Sequence, residues 1–197
     1  MSSGISSALR LFICTAAAAA SVAVGAEDPR NVPDTTPAPL GTASFVPPAN
    51  IDQQPLTPES FVIRAAMINM EEIEIGGLAQ NRSATPAVKE FGAQLVADHR
   101  AALEKLKSIA AQAKIALPGE VDPERQALRD ELSALEGPAF DAKFATAMVD
   151  GHQQAISMFR AASGSATLTP ALRSYAQSML PTLGQHAQMA KQLQSSR

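Results

Sequence analysis

At 197 residues the chain is long enough for one domain with a substantial core, and 16 Lys and Arg against 19 Asp and Glu leave a formal charge of −3. Its basic residues are scattered, aromatic residues make up only 4% of it, and no basic stripe runs along any segment, so no nucleic-acid partner is expected. The single cysteine, Cys14, leaves nothing for an internal disulfide.

The amino terminus, "MSSGISSALRLFICTAAAAASVAVGAED", carries one basic residue, Arg10, and then an uncharged apolar run from Leu11 to Val24. Val24-Gly25-Ala26 suits a signal-peptidase cut before Glu27. The run is short for a bilayer span and has no basic stop-transfer flank. Residues 1–26 are therefore expected to be a removable signal peptide, and the protein to be periplasmic or otherwise exported, with no transmembrane segment in the mature chain. Cys14 follows Ile13 rather than a small residue, which speaks against a lipid anchor there. Losing Arg10 leaves 15 basic against 19 acidic residues, a charge of about −4. The mature chain also has no cysteine, so any metal must be held by histidine, carboxylate or methionine.

Eight of the fourteen prolines fall between Glu27 and Pro58, among few large apolar residues. Residues 27–57 are expected to form a disordered spacer ahead of a helical domain over 58–197. There the composition turns to Ala, Leu, Met, Glu and Gln, with no sustained β alternation.

A capping residue followed by proline recurs in Thr57-Pro58, Thr85-Pro86, Asp122-Pro123 and Thr169-Pro170. Such a pair offers a side-chain acceptor to the free N–H groups of a helix start, and its proline lacks an N–H where none is needed. The pattern predicts long helices over about 58–82, 86–114, 138–163 and 170–194, with a short one over 123–136. The fold expected is an all-α, up-down four-helix bundle with the short helix in the connection between the second and third long helices. Pro181, inside the last helix, removes a backbone bond to the Gln177 carbonyl and is expected to kink it.

Apolar residues at alternating spacings of three and four mark the face each helix turns to the core. The second helix gives Val88, Gly92, Leu95, His99, Ala102, Leu106 and Ile109; the third, Phe144, Met148, His152, Ala155 and Phe159. The fourth gives Leu172, Tyr175, Met179, Leu183, His186, Ala190 and Leu193, and the first gives Phe61, Ala65, Ile68, Glu72, Ile75 and Ala79. All three histidines of the chain and one carboxylate thus sit on core seams, although a slip in phase would bring Glu71 or Glu74 inward instead.

At a rise of roughly 1.5 Å per residue, His99 and His152 come nearly level, Glu72 is offset from His99 by roughly 5 Å, and His186 from His152 by roughly 7 Å. The loop and the proline in the last helix could absorb the larger offset. Two readings follow. Glu72, His99, His152 and His186 could hold one divalent transition metal, Zn, Fe, Mn or Cu. Alternatively, the same residues could form a metal-free hydrogen-bonded core in an envelope structural or stress-interaction module, with Asp98 and Asp150 at hand as partners. Met148 and Met179, near two of the histidines, raise a soft Cu(I) version of the site, against their commoner role as core filler.

Three blocks, "MEEIEIGGLAQNRSATPAVKEFGAQLVADHRAALEKLKSIA", "GPAFDAKFATAMVDGHQQAISMF" and "LRSYAQSMLPTLGQHAQMAKQL", resemble a widespread bacterial exported family of unknown function, often labelled "predicted outer membrane protein". The resemblance runs from Phe61 to Leu193 and implies a ferritin-like helical bundle. It is carried by Glu72 with Gly76-x-Leu78-Ala79, by Asp98-His99, by Phe140-Asp141 ahead of His152, and by Leu180-Pro181 four residues short of His186. All four seam residues lie in these motifs, which implies that they act as a set. The outer-membrane label finds no echo in alternating strands.

Ferritin-like di-iron sites place a Glu three residues before each of two ligating histidines. Here those positions hold Val96, Val149 and Leu183, so a single-metal site or none is expected rather than a di-iron core. Asp141 reads as a helix-dipole partner. No phosphate loop, serine elbow or cysteine nucleophile is present. An enzymatic role ranks behind both readings, and nothing names a substrate or a protein partner.

Overall fold

The computed structural model of the chain describes residue 47 and residues 50–196. The signal peptide expected over residues 1–26 lies outside the described residues, as does most of the spacer expected over 27–57. Five α-helices follow one another: α1 (Pro58–Arg82), α2 (Pro86–Ala113), α3 (Pro123–Ser133), α4 (Gly137–Gly164) and α5 (Pro170–Ser195). No strand occurs among the described residues. None of their helices is long and apolar enough to cross a membrane.

Three of the four cap-proline pairs work as the sequence predicts. Thr57 and Ser60 exchange side-chain and backbone bonds at the start of α1, at 3.1 and 2.9 Å. Asp122 accepts from the Arg125 N–H and Thr169 from the Leu172 N–H. Thr85 departs from the pattern. Its hydroxyl donates instead to Asp141 Oδ2 at 2.5 Å, tying the start of α2 to the first turns of α4. Asp141 is therefore a buried tertiary anchor, beyond the helix-dipole role expected for it.

The end of the expected spacer is folded. Ile51–Gln53 form a 3-10 turn, and Ile51 is buried against Ile63, Met67 and Val121. Arg64, itself buried, donates to the carbonyls of Ile51 and Gln54, the first at 2.7 Å. A proline-rich composition forecast an extended chain; one isoleucine and a buried guanidinium were enough to dock its last residues on α1.

Helices α1 and α2 pair along their lengths, as do α4 and α5, and the two pairs meet through α2 with α5 and α1 with α4. The short helix α3 falls in the connection between α2 and α4, as expected, and lies mainly on α1. Charge pairs direct it there: Arg125 reaches Glu71 at 3.2 Å and Asp52 at 2.9 Å, and Arg129 reaches Glu74 at 3.3 Å. Glu71 and Glu74, the alternative inward residues of α1, are thereby engaged at its outer side, while Glu72 is the buried one.

Apart from the small cluster around Ile51, the apolar core is split in two. One cluster joins Phe61 to Ala66 of α1 with Ala102 to Ala110 of α2, Ala155 to Ala162 of α4 and Leu172 to Leu183 of α5. The other joins Ile75 and Ala79 with Val88 to Leu95, Phe140 to Val149 and Ala190. Between these stretches, along every long helix, sit the buried polar residues: Asn69 and Glu72, His99, His152 and His186.

Candidate metal centre

The three histidines meet in this polar layer. Their ring centroids are 6.2 Å apart for His99 and His152, 5.4 Å for His99 and His186, and 5.3 Å for His152 and His186. Each of the three residues is at most 1% exposed. Phe91, fully buried, closes the layer with its ring 5.8 Å from that of His186 and 6.5 Å from that of His152. His186 reaches the other two rings despite the offset expected for it, and α5 runs on through Pro181.

Each imidazole is held at one nitrogen by an oxygen that can only accept. His99 Nδ1 lies 2.9 Å from Asn69 Oδ1, His152 Nδ1 2.9 Å from the Met148 carbonyl, and His186 Nε2 2.9 Å from Asp98 Oδ2. The Asn69 orientation is itself settled, because its Nδ2 donates to the Ala65 carbonyl and to the Tyr175 hydroxyl. A nitrogen facing such an oxygen must carry the proton, so the other ring nitrogen keeps a lone pair. Those other nitrogens are His99 Nε2, His152 Nε2 and His186 Nδ1, and all three are buried without a hydrogen-bond partner among the described residues. One nitrogen from each ring falls within 4.8 Å of the other two.

Protonation would not relieve this crowding of lone pairs. Burial, with the neighbouring rings His186 and His152 adding to it, pushes the His99 imidazole down to about 3. Burial holds His152 down to about 4, against the opposing pull of the Met148 carbonyl, and also lowers His186. At neutral pH the site is three uncharged imidazoles sharing one space, each oriented from behind. That is the donor set a transition-metal ion takes, with partners on the outer nitrogens of the kind that orient metal-ligating histidines.

Glu72 does not join the three. Its Oε1 lies 3.7 Å from His152 Nδ1, the nitrogen already bonded to the Met148 carbonyl, and its Oε2 is buried without a partner among the described residues. Burial raises its carboxyl to about 8. Burial and the neighbouring Glu72 raise Glu71 to about 8 as well, outweighing the nearby Arg125. The methionines of the Cu(I) version separate, Met148 into one apolar cluster and Met179 into the other. Asp150 is exposed, whereas Asp98, on the helix of His99, anchors His186 of α5 instead.

The residue that seam reading missed is Asn69, one position beyond Ile68. An asparagine inside the run Phe61 to Met70 is the signal that could have found it. Because it links His99 to Tyr175, Asn69→Ala is expected to weaken any metal binding by the three histidines about 10- to 100-fold, as loss of such outer partners does. Competition titration against a chelator reads this directly, and an unchanged affinity would mean that His99 needs no orientation from α1.

A family model described as a domain of unknown function (DUF4142) matches residues 45–193, and the chain belongs to that family. No curated protein matches it. Among solved structures it is similar to a DUF305 fragment from Deinococcus radiodurans, 17% identical, covering 73% of this chain and 100% of that one at a TM-score of 0.62. A candidate secreted protein of DUF305 from Streptomyces coelicolor is 10% identical over 71% of this chain and 93% of its own, with a TM-score of 0.60. CopM in a Cu(II)-bound form is 17% identical over 73% of this chain and 99% of its own, with a TM-score of 0.61. At these identities the likeness is one of fold.

Proposed function

We propose that this DUF4142 protein is an exported metal-binding protein, holding one transition-metal ion on His99 Nε2, His152 Nε2 and His186 Nδ1, with copper as its foremost candidate. The observation that carries this reading is the set of three buried, unpartnered lone-pair nitrogens from three different helices. A metal-free core would leave those three acceptors facing one another with no donor, a cost of desolvation that a bound cation removes. Copper is favoured because imidazole suits it, because Cu(II) stands highest among the divalent first-row ions for such sites, and because CopM, of similar fold, has structures in Cu(II)- and Ag-bound forms. Zinc, with nitrogen ligands at about 2.0–2.1 Å, is the alternative ion.

In this reading the four long helices form a ferritin-like up-down bundle around the ion. Residues 1–26 direct export and are then removed, leaving the proline-rich stretch as a spacer ahead of the domain. Glu72, expected from its seam as a fourth ligand, stands 3.7 Å from the outer nitrogen of His152 and outside the set that holds the ion. The test is elemental analysis of untagged, chelator-free protein beside the His99→Ala/His152→Ala variant. About one metal ion per chain, lost in the variant, is the expected result. Metal-free protein that takes up no Zn, Cu, Mn or Fe on challenge would sink the proposal.

A further inference from the structure

A cleft of about 490 Å³ opens between α1, α3 and α4, and Glu72 lines it. That residue is only 5% exposed, its Oε2 has no partner among the described residues, and its Oε1 stands 3.7 Å from His152 Nδ1. The cleft therefore leads from solvent to a residue in contact with one edge of the histidine triad. Gly151 makes the approach possible. It is exposed on α4 beside His152, and a Cβ placed there would meet only Glu72 Oε1, at 4.0 Å. Glycine is the poorest helix former after proline, so a larger residue would suit α4 better and would cover Glu72.

The lining is cation-seeking. Glu124 and Asp150 are exposed at the cleft and have no ion pair among the described residues, whereas its three basic groups are committed elsewhere: Arg64 to the Ile51 and Gln54 carbonyls, Arg125 to Asp52, Asp122 and Glu71, and Lys143 to Glu131. We propose that this cleft is the route by which a metal cation reaches the histidine triad, drawn in by Glu124 and Asp150 and passing Glu72 at its floor. The His152 ring, with one nitrogen beside Glu72 and the other unpartnered among the histidines, is the partition the ion passes. This inference rests on the metal-binding reading of the triad.

A route sets rates, not equilibria, so the test is kinetic. Metal-free full chain is mixed with Cu(II) in a stopped-flow instrument, and quenching of Tyr175, the one tyrosine in a chain without tryptophan, reports arrival. Gly151→Leu is expected to slow both association and release about tenfold while leaving Kd within about threefold. Glu124→Gln/Asp150→Asn, which adds no bulk, is expected to lower association several-fold and flatten its salt dependence. Gly184→Leu, at another open helical glycine, is the control and keeps the wild-type rate.

Association of Gly151→Leu at the wild-type rate, or equal slowing in Gly184→Leu, overturns the route while leaving the metal site standing. A wild-type chain that binds no Cu(II) overturns both. Should Gly151→Leu fail to fold, the charge-neutralised variant decides alone: a wild-type association rate in it is fatal to the route.

Discussion

Gly92→Ala is expected to destabilise the protein by about 3 kcal/mol, the upper range for overpacking, although alanine is the better helix former by about 1 kcal/mol. An added Cβ at Gly92 would stand 2.6 Å from the Gly76 carbonyl oxygen and 2.7 Å from Ala79 Cβ, and one at Gly76 would stand 2.7 Å from the Gly92 carbonyl oxygen. Both obstacles are parts of backbone or of a short side chain, so relief requires α1 and α2 to separate. Separation would also stretch the bond between Asn69 on α1 and His99 on α2. Urea unfolding should show a lower midpoint at unchanged slope, with weaker metal binding alongside. A variant as stable as the wild type would show that the two helices do not cross this closely in solution.

The second large effect is acid sensitivity of the metal-free protein. His99 titrates near 3 and His152 near 4 in the folded chain, against 6.5 for the ordinary imidazole. As pH falls below 6.5 the unfolded chain takes up protons that the folded chain refuses, so stability present above 6.5 is progressively lost toward pH 3. Glu72 works in the other direction. Its carboxyl, raised to about 8 from 4.5, keeps a proton in the folded chain, so its contribution is full below 4.5 and is lost as pH rises through 8.

Comparison with a His99→Leu/His152→Leu variant isolates the imidazoles, because Glu72 is common to both proteins. Between about pH 7 and pH 4 the wild type should lose roughly 3 kcal/mol or more relative to the variant, since each tenfold difference in proton affinity between the folded and unfolded chain is worth about 1.4 kcal/mol. Matching circular dichroism of the two proteins at neutral pH establishes that they share a fold before their profiles are compared. Parallel pH profiles would mean that water reaches the rings and that the histidine layer is not dry.

Much of this was readable in the chain itself, since helix periodicity and cap-proline pairs are local. The starts of α1, α2, α3 and α5 fall at Pro58, Pro86, Pro123 and Pro170, each one residue after its capping position. The seams were readable for the same reason, because a residue's place on a helix face depends only on spacing along that helix. His99, His152 and His186 are buried where spacing put them, and Glu72 is buried too.

What spacing along one helix could not decide is which nitrogen or oxygen points where once four helices meet. Glu72 and the histidines share a seam position, yet Glu72 ends beside the outer nitrogen of His152, while Asn69, one residue off the seam, takes the place against His99. Thr85 abandoned a local cap for Asp141, and Asp98 served His186 across 88 residues of sequence, because both bonds exist only after helices distant in the chain are side by side. By itself the sequence determined the helices and the buried polar layer, through periodicities that each segment carries alone. Only the tertiary structure decided that three histidines face one another with free lone pairs and that a glycine on α4 leaves a cleft open to Glu72, since both depend on how close the packed helices come.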